Sequence, residues 1–71
     1  MKDDKNIIGI NIKKLREALG MTQKTLSRLT DIYIPQISKY EHGVKTPSTA
    51  SLVKISRALH CSYNKLIDAD N

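Results

Sequence analysis

Apolar side chains recur every three or four residues along the first stretch of this chain, which is typical of one face of an α-helix. The recurring positions are Ile8, Ile12, Leu15 and Leu19. The charged residues Lys13, Lys14 and Glu17 lie off that stripe. Asn6 can cap the start, and Gly20 can end the helix, because glycine accepts the left-handed backbone of a helix terminus. The pattern therefore predicts a first helix between Asn6 and Gly20.

Two shorter periodic stretches follow, separated by a short interruption. Their apolar positions are Met21, Leu26 and Leu29 in the first, and Ile34, Ile37 and Tyr40 in the second. Thr22 supplies an oxygen that can cap the first stretch. Pro35 suits the first turn of the second stretch, where its missing N–H has no intrahelical role, and His42-Gly43 marks the end. These signals predict two short helices, over about 22–29 and 34–41, joined by a tight turn.

Two further helices are predicted after the loop of residues 43–47. Ser48 can cap the first of them and Ser62 the second. Their apolar positions are Leu52, Val53, Ile55 and Leu59, and then Tyr63, Leu66 and Ile67. The pair His60-Cys61 reads as the end of a helix with a buried thiol. The whole pattern predicts an all-α fold.

The 71 residues suffice for one hydrophobic core, because chains of about 60 residues are near the lower limit of independent folding. We expect a compact five-helix domain over residues 7–68, a flexible N-terminus at 1–6 and a polar tail at 69–71. The single cysteine, Cys61, excludes an internal disulfide, and neither histidine has a partner at a metal-ligand spacing. A core held by packing alone, without metal or cofactor, is the expectation.

Composition also limits the class of function. No apolar run is long enough to span a membrane, and two aspartates interrupt the start where a secretion signal would need apolar residues. Together with the lone cysteine, this favours the cytoplasm. No carboxylate pair, no nucleophile with a supporting histidine and no glycine-rich phosphate loop is present. We therefore expect a protein that is not an enzyme and has no membrane partner.

Positive charge is concentrated in the middle of the chain. Residues 11–65 carry ten Lys and Arg against three acids, whereas the first ten residues are neutral and the last six carry two acids. A basic domain attracts polyanions at long range, so nucleic acid is the first partner to consider. On charge alone, a basic surface that serves only solubility is the alternative.

The two short helices over 22–29 and 34–41 meet the geometric requirement for a helix-turn-helix, in which one helix lies in the major groove and the other braces it. Spacing alone leaves open an ordinary helical bundle. The residue identities are more specific than the spacing. This part of the chain resembles the phage repressor and Cro type of helix-turn-helix domain, the XRE family, in the string TQKTLSRLTDIYIPQISKYEHG and in KTPS and RALHCSYNKL after it. The most specific matches are Thr22-Gln23, Leu26, Ile37-Ser38, Tyr40-Glu41, Gly43 and Pro47-Ser48. The resemblance covers about residues 7–68 and implies a lambda-repressor-like bundle that binds duplex DNA.

Bases are expected to be read from the first two turns of the second helix of the pair, because that end points into the groove. The candidates are Tyr33, Ile34, Pro35, Gln36 and Lys39. Gln36 can pair with adenine and Lys39 can reach guanine. Ile34 and Pro35 can pack on thymine methyl groups. The family often has Ser or Thr at position 33 and Gln at position 34, so the resemblance implies that this chain relies more on apolar contact with the bases. The alternatives are that Ile34 faces inward as part of the core and that Tyr33 lies along the DNA backbone.

Phosphate contacts are expected at the starts of helices and at basic residues near them. Gln23 lies in the first turn of a helix, where exposed backbone amides favour a phosphate, and its side-chain amide can donate a further hydrogen bond to that phosphate. An ordinary exposed glutamine is the alternative. The complete set of phosphate candidates is Thr22, Gln23, Lys24, Arg28, Ser38, His42, Lys45, Thr46 and Ser48. Each basic residue taken alone can also be an ordinary solvated charge.

Three expectations concern the scaffold. The resemblance implies an ion pair between Arg16 and Glu41 that positions the recognition helix, with two unrelated surface charges as the alternative. Ser27 stands where the family usually has alanine, and it is small enough to fit. Asp31 replaces a common turn glycine, which keeps the turn at some strain because aspartate tolerates a left-handed backbone.

These features predict a sequence-specific regulator of transcription, a repressor of prophage or mobile-element type, that acts as a homodimer on a palindromic operator. The dimer surface is expected around Tyr63, Leu66 and Ile67, unless these residues close the monomer core. The alternative is an antitoxin-type module that neutralises a partner toxin and binds DNA only secondarily. A protein partner of this chain would be either such a toxin or, for a repressor, a separate oligomerisation domain. RNA binding is disfavoured, because stacking needs aromatic side chains and this chain has three tyrosines and neither Phe nor Trp.

Overall fold

The structure, a computed structural model, describes residues 6–68. These residues form five α-helices: α1 (Ile7–Ala18), α2 (Gln23–Thr30), α3 (Ile34–Glu41), α4 (Thr49–Ala58) and α5 (Tyr63–Ile67). No strand occurs within this part of the chain. The predicted all-α, five-helix architecture is confirmed. The segments predicted as a flexible N-terminus and a polar tail lie, apart from Asn6, outside the described residues.

The helices enclose one core, because α1 packs against α3 and α5, α2 against α3 and α4, and α4 against α5. The buried apolar side chains are Ile12, Leu26, Ile32, Ile37, Tyr40, Leu52, Ile55, Leu59 and Leu66. Every helix contributes at least one of them, so removal of apolar area from water holds all five together. Helix α3 is packed from two sides, by α1 and by α2.

Two leucines that the sequence pattern placed in the apolar stripes are exposed. Leu19 is 49% exposed and Leu29 is 56% exposed. Leu19 is the C-cap of α1, so it lies just past the last helical residue. In α2 the buried stripe passes through Leu26 and Thr30, since the Thr30 hydroxyl donates to the Leu26 carbonyl at 2.7 Å and is thereby satisfied. The prediction was wrong at both positions, because Leu19 follows the last turn of α1 and Thr30 occupies the buried place in α2 that the pattern gave to Leu29.

Side-chain oxygens cap three of the helices at their first turns. Thr22 accepts from the Thr25 amide at 3.0 Å, and Ser48 accepts from the Ser51 amide at 3.1 Å. Ser62 accepts in the same way at the start of α5. Each hydroxyl therefore satisfies one of the amides that a helix start leaves without a partner. The predicted caps of α2, α4 and α5 are confirmed.

Asn6 does not cap α1. Its backbone has φ −95° and ψ 3°, whereas a capping residue needs an extended backbone to aim its oxygen at the first turn. The Asn6 side chain instead turns toward Gly9 and Gly43, and its Oδ1 is buried without a hydrogen bond. The prediction of this cap was wrong.

Helices α1, α3 and α4 end in the same way, with a residue of positive φ just past the C-cap. These residues are Gly20 (φ 67°), Gly43 (φ 74°) and His60 (φ 56°). In each case the next amide reaches back to the final turn, as Met21 N to Arg16 O (3.0 Å) and Cys61 N to Ser56 O (3.0 Å) illustrate. This double closure satisfies carbonyls that would otherwise lack a donor.

None of the described helices is long and apolar enough to cross a membrane.

Candidate nucleic-acid interface

The turn between α2 and α3 is closed by its own residues. Asp31 adopts φ 61° and ψ 30°, the left-handed conformation, as its sequence position predicted, and its amide donates to the Ser27 carbonyl at 2.8 Å. The Ser27 hydroxyl donates to the carbonyl of Ile32, whose side chain is buried. Ser27 therefore ties the end of the turn to the middle of α2, which an alanine at this position could not do.

Helix α3 has one buried and one exposed side. Ile37, Tyr40 and Glu41 are buried, and Tyr40 packs in the core as its periodicity indicated. Tyr33, which precedes the helix, is 82% exposed, and Ile34 is 40% exposed. Of the remaining base-reading candidates, Pro35 and Lys39 are exposed and Gln36 is half-buried. The structure thus brings all the predicted base-reading residues to the start and outer side of one helix.

Glu41 lies at the centre of a buried hydrogen-bond network that joins three helices. Its carboxylate accepts from Arg16 Nε at 2.7 Å and from Arg16 Nη2 at 3.0 Å, a bidentate ion pair. Gln23 Nε2 donates to the same carboxylate at 2.9 Å. Arg16 Nη1 also donates to the Met21 carbonyl at 2.7 Å, at the entrance to α2. The C-terminal end of α3 is therefore tied to α1 and to the start of α2.

The same contacts favour the charged form of the guanidinium further. The hydrogen bond with Glu41 raises the pKa of Arg16, and the charges of Glu41 and Glu17 act in the same direction. Burial acts against them, because it disfavours the charged form. The charged form of Arg16 is thus favoured inside the protein, where the Glu41 carboxylate pairs with it in the bidentate geometry that favours strong pairing.

Gly9 sets how closely α1 approaches α3. A Cβ atom at Gly9 would collide with the backbone carbonyl of Tyr40, and it would also lie 3.1 Å from the carbonyl of Glu41. Only a residue without a side chain allows the two helix backbones to meet at this distance. Sequence reasoning did not single out Gly9; its position inside an otherwise periodic helix was the available signal.

The predicted phosphate contacts occupy several environments. Most of them are exposed: Thr22, Lys24, Arg28, His42, Lys45, Thr46 and Ser48. The Ser48 hydroxyl both caps α4 and donates to Ser51, while His42 Nδ1 bonds to the Ser38 carbonyl at 2.8 Å. Gln23 is half-buried, with one side-chain N–H directed at Glu41 rather than at solvent. Its amide therefore has one donor left for an outside ligand.

Asn11 is a further structural residue that sequence reasoning missed. It is buried in α1, and its Nδ2 donates to the carbonyls of Leu66 at 2.9 Å and Asp68 at 3.1 Å. These bonds hold the C-terminal end of α5 against α1. A polar residue on the core-facing side of an amphipathic helix was the signal that could have found it.

Cys61 and the histidines take no part in a cluster that could hold a metal: within residues 6–68 no group of three His, Cys, Asp or Glu side chains converges. Cys61 is partly buried against the core, and this burial raises the pKa of its thiol. The thiol is accordingly packed as a small apolar group.

Comparison with known proteins identifies the family. The helix-turn-helix family model matches residues 12–66. The crystal structure of the restriction-modification controller protein C.AhdI from Aeromonas hydrophila superposes with a TM-score of 0.85 at 27% identity, covering 89% of this chain and 96% of that one.

Two curated relatives extend the comparison. Antitoxin PezA of Streptococcus pneumoniae serotype 4 is 33% identical over 64 residues, which cover 90% of this chain and 40% of PezA. The chain thus spans less than half the length of that relative. The uncharacterized HTH-type transcriptional regulator y4dJ of Sinorhizobium fredii is 26% identical over 65 residues, covering 92% of this chain and 84% of y4dJ. The chain belongs to the helix-turn-helix family of XRE type, the family and fold of DNA-binding transcription regulators.

Proposed function

We propose that this protein is a sequence-specific repressor that binds duplex DNA as a homodimer on a palindromic operator. The observation that carries the proposal is the two-sided character of α3. Its inner side is buried, so the helix is rigidly held, while Tyr33, Ile34 and Lys39 face solvent at its start and outer side. A helix presented in this way fits the major groove of DNA, with its N-terminal residues at the base edges.

Phosphate binding is proposed for the starts of α2 and α4. Both helices begin with a hydroxyl cap and carry no acidic residue in the first turn, so the positive end of each helix dipole is unopposed. One side-chain N–H of Gln23 donates to Glu41, and we propose that the second donates to a phosphate. Lys24 and Arg28 in α2 and Lys45 in the following loop add charge on exposed side chains.

The homodimer follows from how little DNA one copy can read. A single recognition helix reaches about half of an operator, so two copies related by a two-fold axis are needed for strong discrimination. Leu66 is fully buried in the monomer and cannot serve the dimer surface, while Ile67 is 41% exposed and Tyr63 is partly buried. Of the three residues predicted for the dimer surface, only Ile67 and Tyr63 are therefore kept in the proposal. Because its proposed ligand is chromosomal DNA, we propose that the protein acts in the cytoplasm.

Titration of the protein with random and selected duplexes across a salt series tests this function. The logarithm of affinity should fall with the logarithm of salt concentration at a slope of about −0.9 per phosphate contacted. Duplexes selected from a random pool should bind at least about 10³-fold more tightly than random ones. Equal affinity for all duplexes would overturn the proposal. We propose that the bound dimer represses transcription by covering a promoter. Expression of a reporter gene placed behind the selected site tests whether the protein represses or activates transcription.

An antitoxin-type module is the second candidate, and the identity with PezA favours it. In that case the protein would bind a protein partner tightly, and DNA binding would be secondary. Co-expression with the product of the neighbouring reading frame, followed by size-exclusion chromatography, separates the two functions. A stable complex that forms without DNA supports the antitoxin function, whereas separate elution supports the regulator alone.

A further inference from the structure

Three consecutive residues with large apolar surfaces are exposed where α3 begins. Tyr33 is 82% exposed, Ile34 is 40% exposed and Pro35 is also exposed. Apolar residues scattered singly over a surface are ordinary, but a continuous run at the tip of the recognition helix leaves apolar area in water without a structural reason. A ligand that covers this run would remove that area from water.

The first turn of α3 has little means of reading bases by hydrogen bonds. Ile34 and Pro35 have no polar side-chain atoms, and Pro35 also lacks a backbone N–H. The backbone amides of Gln36 and Ile37 are already bonded to the Tyr33 carbonyl, at 3.0 and 3.1 Å. Within α3, polar side chains begin with Gln36, and Lys39 follows one turn beyond Pro35, on the same side of the helix. Just before the helix, the Tyr33 side chain adds a hydroxyl at the end of a large apolar ring.

The major groove offers one apolar feature, the methyl group at C5 of thymine. Cytosine carries the same group at the same position once it is methylated. Building on the regulator function proposed above, we infer that the first turn of α3 reads C5-methyl groups, so that it accepts thymine and 5-methylcytosine alike. Tyr33, Ile34 and Pro35 would form the methyl-reading run, and Lys39 would hold the helix in register from the next turn.

Replacement of thymine by deoxyuracil isolates the methyl group, because the base pair keeps every hydrogen-bonding group. In a selected duplex, single replacements should lower affinity about three- to fivefold at one to three positions in each half-site, the factor expected for burial of one methyl group. All other positions should tolerate the replacement. Uniform tolerance by a duplex that is still preferred over random DNA would overturn this inference and leave the regulator function standing.

Cytosine methylation supplies an independent measurement. At each sensitive position, the thymine–adenine pair is replaced by cytosine–guanine, with and without a methyl group at C5 of cytosine. The methylated duplex should bind about three- to fivefold more tightly than the unmethylated one. Equal binding of the two duplexes would contradict methyl reading at that position.

Variants of the protein assign the effect to α3. Ile34→Ala should abolish sensitivity to deoxyuracil at one or more positions, and Tyr33→Ser should act similarly without weakening the helix, because serine is a favoured N-cap. Leu29→Ala is the matched control: it removes the same kind of exposed apolar side chain from α2 and should leave affinity and methyl sensitivity unchanged. If both α3 variants kept full methyl sensitivity, the assignment of methyl reading to α3 would be overturned. If the wild-type protein preferred no duplex over random DNA, the regulator function itself would be overturned.

Discussion

Glu41 carries a negative charge in a position that water hardly reaches. Its side chain is 2% exposed and that of Arg16 is 9% exposed, so the two depend on each other and on Gln23 for solvation. Desolvation offsets much of the attraction in such a pair, which contributes more to geometry than to net stability. Removal of only one partner lowers stability strongly, because it leaves the other charge buried without an opposite charge beside it.

Glu41→Ala should therefore lower the free energy of unfolding by about 3–5 kcal/mol, most of the stability of a domain of this size. Urea denaturation followed by circular dichroism measures the change. Glu17→Ala is the matched control, because its carboxylate lies 4.0 Å from the same guanidinium but is 57% exposed and should change stability by less than about 1 kcal/mol. Equal effects of the two substitutions would contradict a buried role for Glu41.

Positive φ angles are a second property of single residues. Gly20 and His60 occupy equivalent places past the ends of α1 and α4, yet His60 carries a Cβ atom that the left-handed conformation disfavours. His60→Gly should relieve this strain and stabilise the protein by up to about 1 kcal/mol, even after the added freedom of the unfolded chain.

Gly20→Ala provides the reverse substitution. A Cβ atom at Gly20 meets nothing within 4 Å, so the backbone angle alone is tested, and the expected change is a loss of about 1 kcal/mol. Thermal unfolding of both variants measures the pair of shifts. If the two substitutions shifted the melting temperature in the same direction, backbone strain would not be their common cause.

The orientation of α3 is set at the level of elements, by its contacts with α1 and α2. On one side, the glycine at position 9 lets the backbone of α1 approach the last turn of α3. On the other side, the Ser27 hydroxyl and the left-handed Asp31 fix the turn. The exposed run at the start of α3 is thus positioned by contacts that lie outside the surface proposed to bind DNA.

Gly9→Ala should displace α1 from α3, because the carbonyl of Tyr40 that meets the new Cβ atom belongs to the backbone and cannot rotate away. Overpacking of this kind costs about 1–3 kcal/mol. Duplex affinity should also fall at temperatures where the variant remains folded, since the helix pair would be misaligned. Measurement of both quantities, with Ala18→Gly on the exposed end of α1 as a control for helix propensity, tests the role. A folded variant of unchanged affinity would show that α3 does not depend on this approach.

Sequence periodicity located the elements well and the environment of individual residues less well. The helix signals around Thr22, Pro35 and Ser48 depend on local chemistry, so they could be read from the chain itself. The exposure of Leu29 and the burial of Asn11 and Thr30 depend on which partners the folded chain supplies. Asn11 is buried only because two carbonyls at the end of α5 accept its hydrogens. The tie between Gln23 and Glu41 likewise joins residues that are 18 positions apart.

At the scale of the molecule, charge and size together constrain how DNA could be bound. The net charge of +5 favours a polyanion at long range, but it carries no sequence information. In the proposed function, sequence specificity comes from α3, whose eight residues span about 12 Å and so reach only a few base pairs. The longest dimension of one copy is 34 Å, close to the rise of about 34 Å per turn of DNA. We therefore propose that two copies bound one turn apart touch when their long axes lie along the DNA.

This match predicts how the operator responds to changes in spacing. An insertion of five base pairs turns the half-sites to opposite faces of the duplex, while one of ten restores the face but separates the copies by about another 34 Å. Neither arrangement lets two copies of this size touch, so each insertion should lower affinity by at least about 10²-fold, to the level of an isolated half-site. Gel-shift titration of the three duplexes, with the half-site alone as reference, measures the loss. Two copies that bind independently would be indifferent to both insertions, and that outcome would exclude a dimer that forms through contact on the operator.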